Sequence, residues 1–364
     1  MISLFACAIL ACAVPPLPAP KPSAERALFP IDPVILLGSG EKMEGVATRE
    51  ANYGGFRYRF ATEASQRAFA ATPTRFAIGM GGGCARMGPL SGRGDVARYE
   101  VVNDRLYIFA SDACRASFLK DPSAFLEVAD APFPTDARGL ELAAVARRWL
   151  RADAACPSEI VVTDHQEVKS GEEMHKTRDE VRLSPNLLFT TLNAWDESVW
   201  WTTASLVESA VTDTPTHFMR STVQGEQLLD DSQLAAFRRV AMVEPLFLSR
   251  LLLQSDVKLA GGGAAEWKVG DRTLTGEILK IHWKEVTVEW LIKAATGQPM
   301  AQRAMKRSRD ARFAQVTEAF SDWNDKAGVR IPMTRSDGVV TRRFDSVESD
   351  CDPKVPEAPA TPAE

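Results

Sequence analysis

The sequence has no large excess of charge of either sign. It contains 43 Lys and Arg residues against 48 Asp and Glu, for a formal net charge of -5, and the two signs are mixed along the chain. Proteins that hold nucleic acid or anionic lipid surfaces gather Lys and Arg on one face or stretch, and no stretch of this chain does so. We therefore expect no nucleic-acid partner.

Histidine is scarce, and the motifs of common enzyme classes are missing. The four histidines have neither the His-x-x-x-His nor the His-Glu-x-x-His spacing of metalloenzymes. The Gly-Ser-Gly at 38–40 is not followed by the Lys-Ser/Thr of a phosphate-binding loop, and no Gly-x-Ser-x-Gly is present. These absences favour a protein with no catalytic activity of its own.

Long apolar runs are missing beyond the first residues, since the stretch LFLSRLLL is interrupted by Arg250. The N-terminus has an apolar run from Ile2 to Val14, the small residues that a signal peptidase needs, and then a Pro/Ala-rich spacer. We interpret residues 1–22 as a signal peptide or lipoprotein leader and predict a protein of the periplasm or cell envelope. Cys12 ends the lipobox-like ILAC and is either a lipid-anchored residue or an ordinary cysteine of the leader.

Two of the six cysteines, Cys7 and Cys12, fall in this leader. An even number remains for a compartment in which disulfides persist, and three pairings are open to them. These are Cys84, Cys114, Cys156 and Cys351.

The Pro- and acid-rich segment 349–364 has no apolar periodicity, so we expect a disordered tail.

One stretch of the first half occurs twice. Tyr58, Phe60, Phe69, Pro73 and Phe76 match Tyr107, Phe109, Phe118, Pro122 and Phe125, each pair 49 positions apart. In each unit, 56–76 and 105–125, an alternating stretch predicts a strand and a hydroxyl residue predicts the N-cap of a short helix. The helix must stop before the proline. The sequence therefore predicts two strand-turn-helix units.

These units lie in a segment that resembles the YHS domain. The shared features are DPVILLGSGEKMEGVAT, YGGFRYRFATEASQRAFAATPTRF and MGGGCA, and the resemblance covers residues 31–128. It implies a YHS-like domain over 28–128. In metal-trafficking members a cysteine in the first helical turn is a ligand; this chain has Ser65 there in the first unit and Cys114 in the second, and the Cys-x-x-Cys of those members is absent.

Cys114 also stands out on physical grounds, because a thiol in the first turn of a helix is favoured as thiolate. In MGGGCARM, the soft ligands Met80, Cys84 and Met87 lie on a glycine-rich segment, a set suited to Cu(I) or another soft metal. A structural disulfide between Cys84 and Cys114, with the methionines in the core, is the alternative, and inert buried thiols are another.

The second half changes to a period of two. From about residue 158 the chain alternates apolar and polar residues in successive short stretches, which predicts antiparallel strands joined by tight turns. A helical pattern from Thr135 to Leu150 precedes them, and a second from about Asp231 to Gln254 interrupts them, with a break at Pro245. The fold class predicted for the whole chain is α+β, with a large antiparallel sheet covered by helices.

Residues 295–338 resemble the closing strands of LolA-like and RseB-like periplasmic domains. The shared features are Thr-Gly-x-Pro, a strand pair, a Ser-Asp-Trp corner and Gly-Val-x-x-Pro. The resemblance implies a half-barrel domain over 136–348 that encloses an apolar cavity. It also implies an acyl chain or a lipoprotein as the partner.

Within that domain, alternation places Ile281 and Trp283 on one face of a strand and Val288 and Trp290 on one face of the next. Either these side chains line a cavity for an acyl chain or they are core beneath a helix. The leading hypothesis is a non-catalytic envelope protein that joins a YHS-like module to a hydrophobic-ligand or lipoprotein-binding domain. The alternative is a thiol or copper protein that uses Cys84 and Cys114.

Overall fold

The computed structural model describes residues 26–152, 159–170, 173–184, 188–195, 198–205, 217–221, 225–308, 310–325 and 329–349. The predicted leader with Cys7 and Cys12, the residue Cys156 and the predicted tail from residue 350 with Cys351 lie outside these ranges. Across the described ranges, no helix is both long enough and apolar enough to cross a membrane.

The first part of the chain consists of short strands and helices. In chain order these are β1 (Ala27–Phe29), α1 (Pro33–Ser39), β2 (Val46–Tyr53), β3 (Phe56–Phe60), α2 (Glu63–Ala71), α3 (Pro73–Phe76), β4 (Asp95–Val102), β5 (Arg105–Phe109) and α4 (Asp112–Lys120). Short 3₁₀ helices cover Met80–Gly82 and Pro122–Ala124. We call residues 27–125 the N-terminal module.

The prediction of two strand-turn-helix units is confirmed. Helices α2 and α4 begin after Thr62 and Ser111, whose hydroxyl groups accept hydrogen bonds from the backbone of the first turn, and both helices end before the proline. Each unit is larger than predicted, because β2 and β4 pair with the predicted strands as antiparallel hairpins.

The two hairpins share their turn as well as their length. Gly54 and Gly55 in the first turn, and Asn103 and Asp104 in the second, all have positive φ. Two-residue turns with positive φ at both positions match the right-handed twist of the strands, and Gly, Asn and Asp are the residues that adopt them at least cost. The repeat of 49 residues therefore preserves a complete hairpin and helix.

The second part contains the long strands. Its elements are α5 (Ala137–Leu150), β6 (Ile160–Ser170), β7 (Glu173–Leu183), β8 (Leu188–Trp195), β9 (Ser198–Ser205), β10 (His217–Ser221), β11 (Gly225–Leu228), α6 (Asp231–Met242), α7 (Pro245–Leu251), β12 (Lys258–Val269), β13 (Arg272–Trp283), β14 (Val286–Lys293), β15 (Gln298–Arg307), β16 (Phe313–Asn324), β17 (Ile331–Ser336), β18 (Thr341–Arg343) and β19 (Ser346–Ser349). We call residues 136–349 the sheet domain.

The protein is α+β, as predicted, and its sheet domain is antiparallel. One seven-stranded open sheet has the order β11-β10-β9-β8-β7-β6-β19, and a second has its strands in chain order from β12 to β18. The last strands join the two: the backbone N–H of Phe344 donates to Met333 in the second sheet, and that of Asp345 donates to Thr163 in the first, both at 2.8 Å.

Both sheets and the helices α5, α6 and α7 contribute to one core. The predicted helix from Asp231 is divided at Pro245, which occupies the first turn of α7, where a proline costs no hydrogen bond. Helix α7 is apolar on almost every side: its buried residues include Leu246, Phe247, Leu248 and Leu251. It therefore fills space between the sheets and is not a surface cover.

Candidate functional site

A glycine-rich segment at 79–92 joins the two units of the N-terminal module and contacts the sheet domain. The side-chain amide of Gln233, in α6, donates to the carbonyl of Pro89 at 3.1 Å. Gly81 has positive φ, and a Cβ there would lie 2.2 Å from Gln233; Gly88 also has positive φ, and its Cβ would lie 2.1 Å from Arg307. The glycines therefore allow the backbone of one domain to approach the side chains of the other.

Leu90 of this segment packs against the core of the sheet domain. Beside it, between the two domains, is a cavity of about 310 Å³. This volume is at the lower end of the range for small-molecule sites. We call it the interdomain cavity.

The interdomain cavity has an apolar wall and a charged end. The wall is formed by Met87, Pro89 and Leu90 of the glycine-rich segment and by Ala236, Val240 and Val243 around α6. The charged end consists of Arg239 in α6, Lys306 and Arg307 in β15, and Glu127 from the segment between the domains. An apolar wall with a few convergent polar groups is typical of a ligand site.

Arg239 is the most deeply buried charge of this end, with 6% of its side chain exposed. One terminal nitrogen donates to Asp130 at 3.1 Å, and the other donates to the carbonyl of Val128 at 3.0 Å. Its Nε is buried without a hydrogen-bond partner among the described residues, and an oxygen of the Glu127 carboxylate is 3.8 Å away. That distance is too long for a hydrogen bond.

Arg307 is fixed more completely. Its guanidinium donates to the Glu127 carboxylate at 3.0 Å and to the carbonyls of Ala311 and Phe125 at 3.0 and 2.9 Å. Burial lowers the pKa of Arg307, and the negative charge of Glu127 and its hydrogen bond to Arg307 offset part of that effect. An arginine keeps its charge at neutral pH even so.

A second cavity, of about 380 Å³, lies on the other side of Leu90 and Val240, which line both spaces. Its remaining lining is mostly polar and includes the carboxylates of Asp179, Glu180 and Glu244. Arg342 lies among them and donates to Asp179 at 2.6 Å. Leu90 of the glycine-rich segment and Val240 of α6 thus lie between the two cavities.

The four residues predicted to line an acyl cavity are buried in the core. Ile281, Trp283, Val288 and Trp290 each have at most 1% of their surface exposed, and none of them lines either cavity described above. The ring of Trp283 lies 6.0 Å from that of Phe247 in α7, and its indole N–H donates to Asp256 at 2.8 Å. The prediction that these side chains share one buried face is confirmed, since all four belong to one core cluster. Phe247 of helix α7 packs on that face.

Three of the four predicted metal ligands lie together. Met80 and Cys84 belong to one buried cluster, and Cys114 packs against it, whereas Met87 is exposed and its sulfur lies 3.1 Å from the Arg86 guanidinium. Cys84 and Cys114 are both free thiols, so the disulfide that was one alternative for them is not formed. Within the described residues, no group of three or more His, Cys, Asp or Glu side chains is placed to hold a metal ion. Copper binding stays a prediction.

Sequence reasoning missed Arg239, Arg307 and Glu127. A signal was present for Arg239, because it lies three residues after Ala236 and therefore on the buried side of α6. An arginine that is buried needs several hydrogen-bond partners. Glu127 lies in a segment without regular structure and offers no pattern.

The sequence matches no family model and no curated protein. Three solved structures resemble part of this chain. A DUF1329 family protein from Desulfovibrio piger has a TM-score of 0.33 at 12% identity and covers 60% of this chain and 94% of its own. A domain described as an outer membrane lipoprotein-sorting protein, from Vibrio parahaemolyticus, has a TM-score of 0.35 at 9% identity, with 58% and 92% covered.

A LolA superfamily protein from Nitrosomonas europaea gives a TM-score of 0.30 at 9% identity, with 59% of this chain and 94% of that protein covered. Similarities of this size assign neither a family nor a function to the chain.

Proposed function

We propose that this protein is a non-catalytic binding protein of the bacterial cell envelope that holds a small amphiphilic ligand in the interdomain cavity. The observation that carries this proposal is the cavity itself, with its apolar wall and its charged end between two domains. Small-molecule sites are commonly found at such domain interfaces. Export to the periplasm or envelope rests on the N-terminal sequence.

The proposed site differs from the one that the sequence suggested. Trp283 and Trp290 are buried in one core cluster with apolar residues of α7, whereas the space beside Leu90 forms a cavity. An acyl chain or another short apolar group fits the wall formed by Leu90, Val240 and Val243. The N-terminal module then supplies one side of the site, whether or not it is a YHS domain.

The test is the binding of N-phenylnaphthylamine, a neutral apolar dye whose fluorescence rises when it leaves water. Purified protein without added ligand is expected to bind it with saturation. Ala236→Leu places extra bulk in the cavity wall and is expected to weaken binding about tenfold, since an apolar group then occupies the ligand's space.

The matched control is Ala235→Leu, one position earlier in α6, where the side chain does not line the cavity. It is expected to leave the affinity for the dye within about twofold of the wild-type value. Equal effects of both variants, or no saturable binding by the wild-type protein, would refute the proposed site.

A further inference from the structure

The charged end of the interdomain cavity is balanced by a carboxylate of the protein itself. Arg239 and Lys306 have partners that do not line the cavity, Asp130 and Glu318. Glu127 does line it, and its carboxylate oxygens lie 3.0 Å from Nε of Arg307 and 3.8 Å from Nε of Arg239.

Glu127 forms a hydrogen bond with Arg307 but none with Arg239. Its hydrogen bond to Arg307 has normal length, but Nε of Arg239 stays without a partner although the side chain is more than nine-tenths buried. A buried donor of this kind is costly, and it marks the place where an acceptor is missing. The carboxylate of Glu127, which lines the charged end of the cavity, lies 3.8 Å from this donor.

The segment that carries Glu127 allows its side chain to move away from the two arginines. It lies between the 3₁₀ helix at 122–124 and α5, in a segment without helix or strand, and its neighbour Val128 is 67% exposed. Moving this side chain therefore breaks no strand ladder or helix. The apolar wall and Arg239, by contrast, are on α6.

We propose that the ligand carries one anionic group, and that this group takes the place of Glu127 at Arg239 and Arg307. The inference rests on the proposed function. When the ligand's anionic group replaces the Glu127 carboxylate, the charges of the buried arginines stay balanced. A neutral group in the same place would leave those charges without a partner. Guanidinium groups bind carboxylates and phosphates through paired donors, so Nε of Arg239 gains the acceptor that it lacks. Glu127 thus acts as an internal competitor that sets the affinity for anions.

The test compares octanoate with octanamide, which have the same chain and differ in charge, by titration calorimetry of the full protein at neutral pH. The wild-type protein is expected to prefer octanoate. Glu127→Gln keeps a hydrogen-bond acceptor for Arg307 but removes the competing charge, so it is expected to strengthen octanoate binding about tenfold and to leave octanamide binding within about twofold.

Two further variants keep the test independent of folding defects. Lys306→Gln, with about a quarter of the lysine side chain exposed, is expected to weaken octanoate binding and not octanamide binding. Glu285→Gln removes a carboxylate that pairs with Arg238 outside the cavity lining, and it is expected to change neither affinity. Circular dichroism and the unfolding temperature establish that each variant is folded.

The outcomes separate this inference from the proposed function. If octanamide binds as well as octanoate and Glu127→Gln alters neither affinity, the cavity is a hydrophobic site without preference for anions, and the inference is wrong while the proposed function stands. If folded Glu127→Gln protein binds octanoate more weakly, Glu127 is not a competitor. If neither compound binds the wild-type protein, the proposed function fails as well.

Discussion

The hydroxyl of Ser65 donates to the carboxylate of Asp32 at 2.5 Å, and Asp32 is completely buried. The same carboxylate accepts hydrogen bonds from the backbone of Val34, Ile35 and Ala61. In the second unit the positions 49 residues later are Cys114 and Gly81. The repeat therefore keeps its hairpin and helix but replaces this pair by a thiol and a residue with no side chain.

We expect the Ser65 pair to be a stabilising contact that the second unit has lost. Ser65→Cys, which gives the first unit the residue of the second, should lower the free energy of unfolding by about 1–3 kcal/mol, because a buried carboxylate loses a donor. Cys114→Ser should change it by less than about 1 kcal/mol, since Gly81 offers no acceptor. Urea unfolding measures both, and equal losses would contradict the asymmetry.

Gly81→Ala should weaken the contact between the domains. The new methyl group would meet Gln233 at a residue with positive φ, so both space and backbone oppose it. We expect a loss of about 2 kcal/mol or more in the free energy of unfolding and faster proteolysis near residue 88.

The control for that substitution is Gly38→Ala in α1, where a Cβ meets nothing within 4 Å. Alanine favours the helix, so stability should stay the same or rise by about 0.5–1 kcal/mol. A loss of the same size in both variants would show that the close approach to Gln233 has no special cost.

Acid should destabilise the sheet domain through Glu318. Burial raises the pKa of this carboxyl, but Lys306 and Arg335 outweigh burial, and the pKa lies below its ordinary value of 4.5. A carboxyl whose pKa is lower in the folded state stabilises the fold at every pH above its pKa in the unfolded state. That contribution is lost as the pH falls through the pKa of the folded state.

Thermal unfolding between neutral pH and about pH 3 measures this effect. Glu318→Gln should be less stable than the wild-type protein at neutral pH and should lose less stability on acidification. Glu63→Gln, on the exposed side of α2, should follow the wild-type curve. A Glu318→Gln curve parallel to the wild-type one would assign the acid sensitivity to other carboxylates.

The two described cysteines should differ in reactivity. Cys84 is 1% exposed and Cys114 is partly exposed, and both are free. Under native conditions an alkylating reagent should label Cys114 first, and Cys84 only after denaturation, because access limits the reaction. Peptide mapping by mass spectrometry identifies the labelled residue. If neither thiol is labelled after denaturation without reductant, the two are oxidised and the prediction fails.

The sequence by itself determined the local structure. The matches 49 residues apart, the caps at Thr62 and Ser111 and the alternation in the second half predicted the repeated units and the antiparallel strands, because turns, caps and strand faces depend on residues close together in the chain. Even so, the hairpin partners β2 and β4 were missed, although Gly54-Gly55 and Asn103-Asp104 are strong turn signals.

Only the tertiary structure decided where the candidate site lies. Alternation showed that Trp283 and Trp290 share strand faces with apolar neighbours. The sequence pattern of a buried face is the same, however, whether a helix or an empty space covers that face. The interdomain cavity brings together Leu90, Glu127, Arg239 and Arg307, which lie far apart in the sequence. Their distances and charges depend on how two domains pack, and packing between domains leaves no periodic pattern in either one.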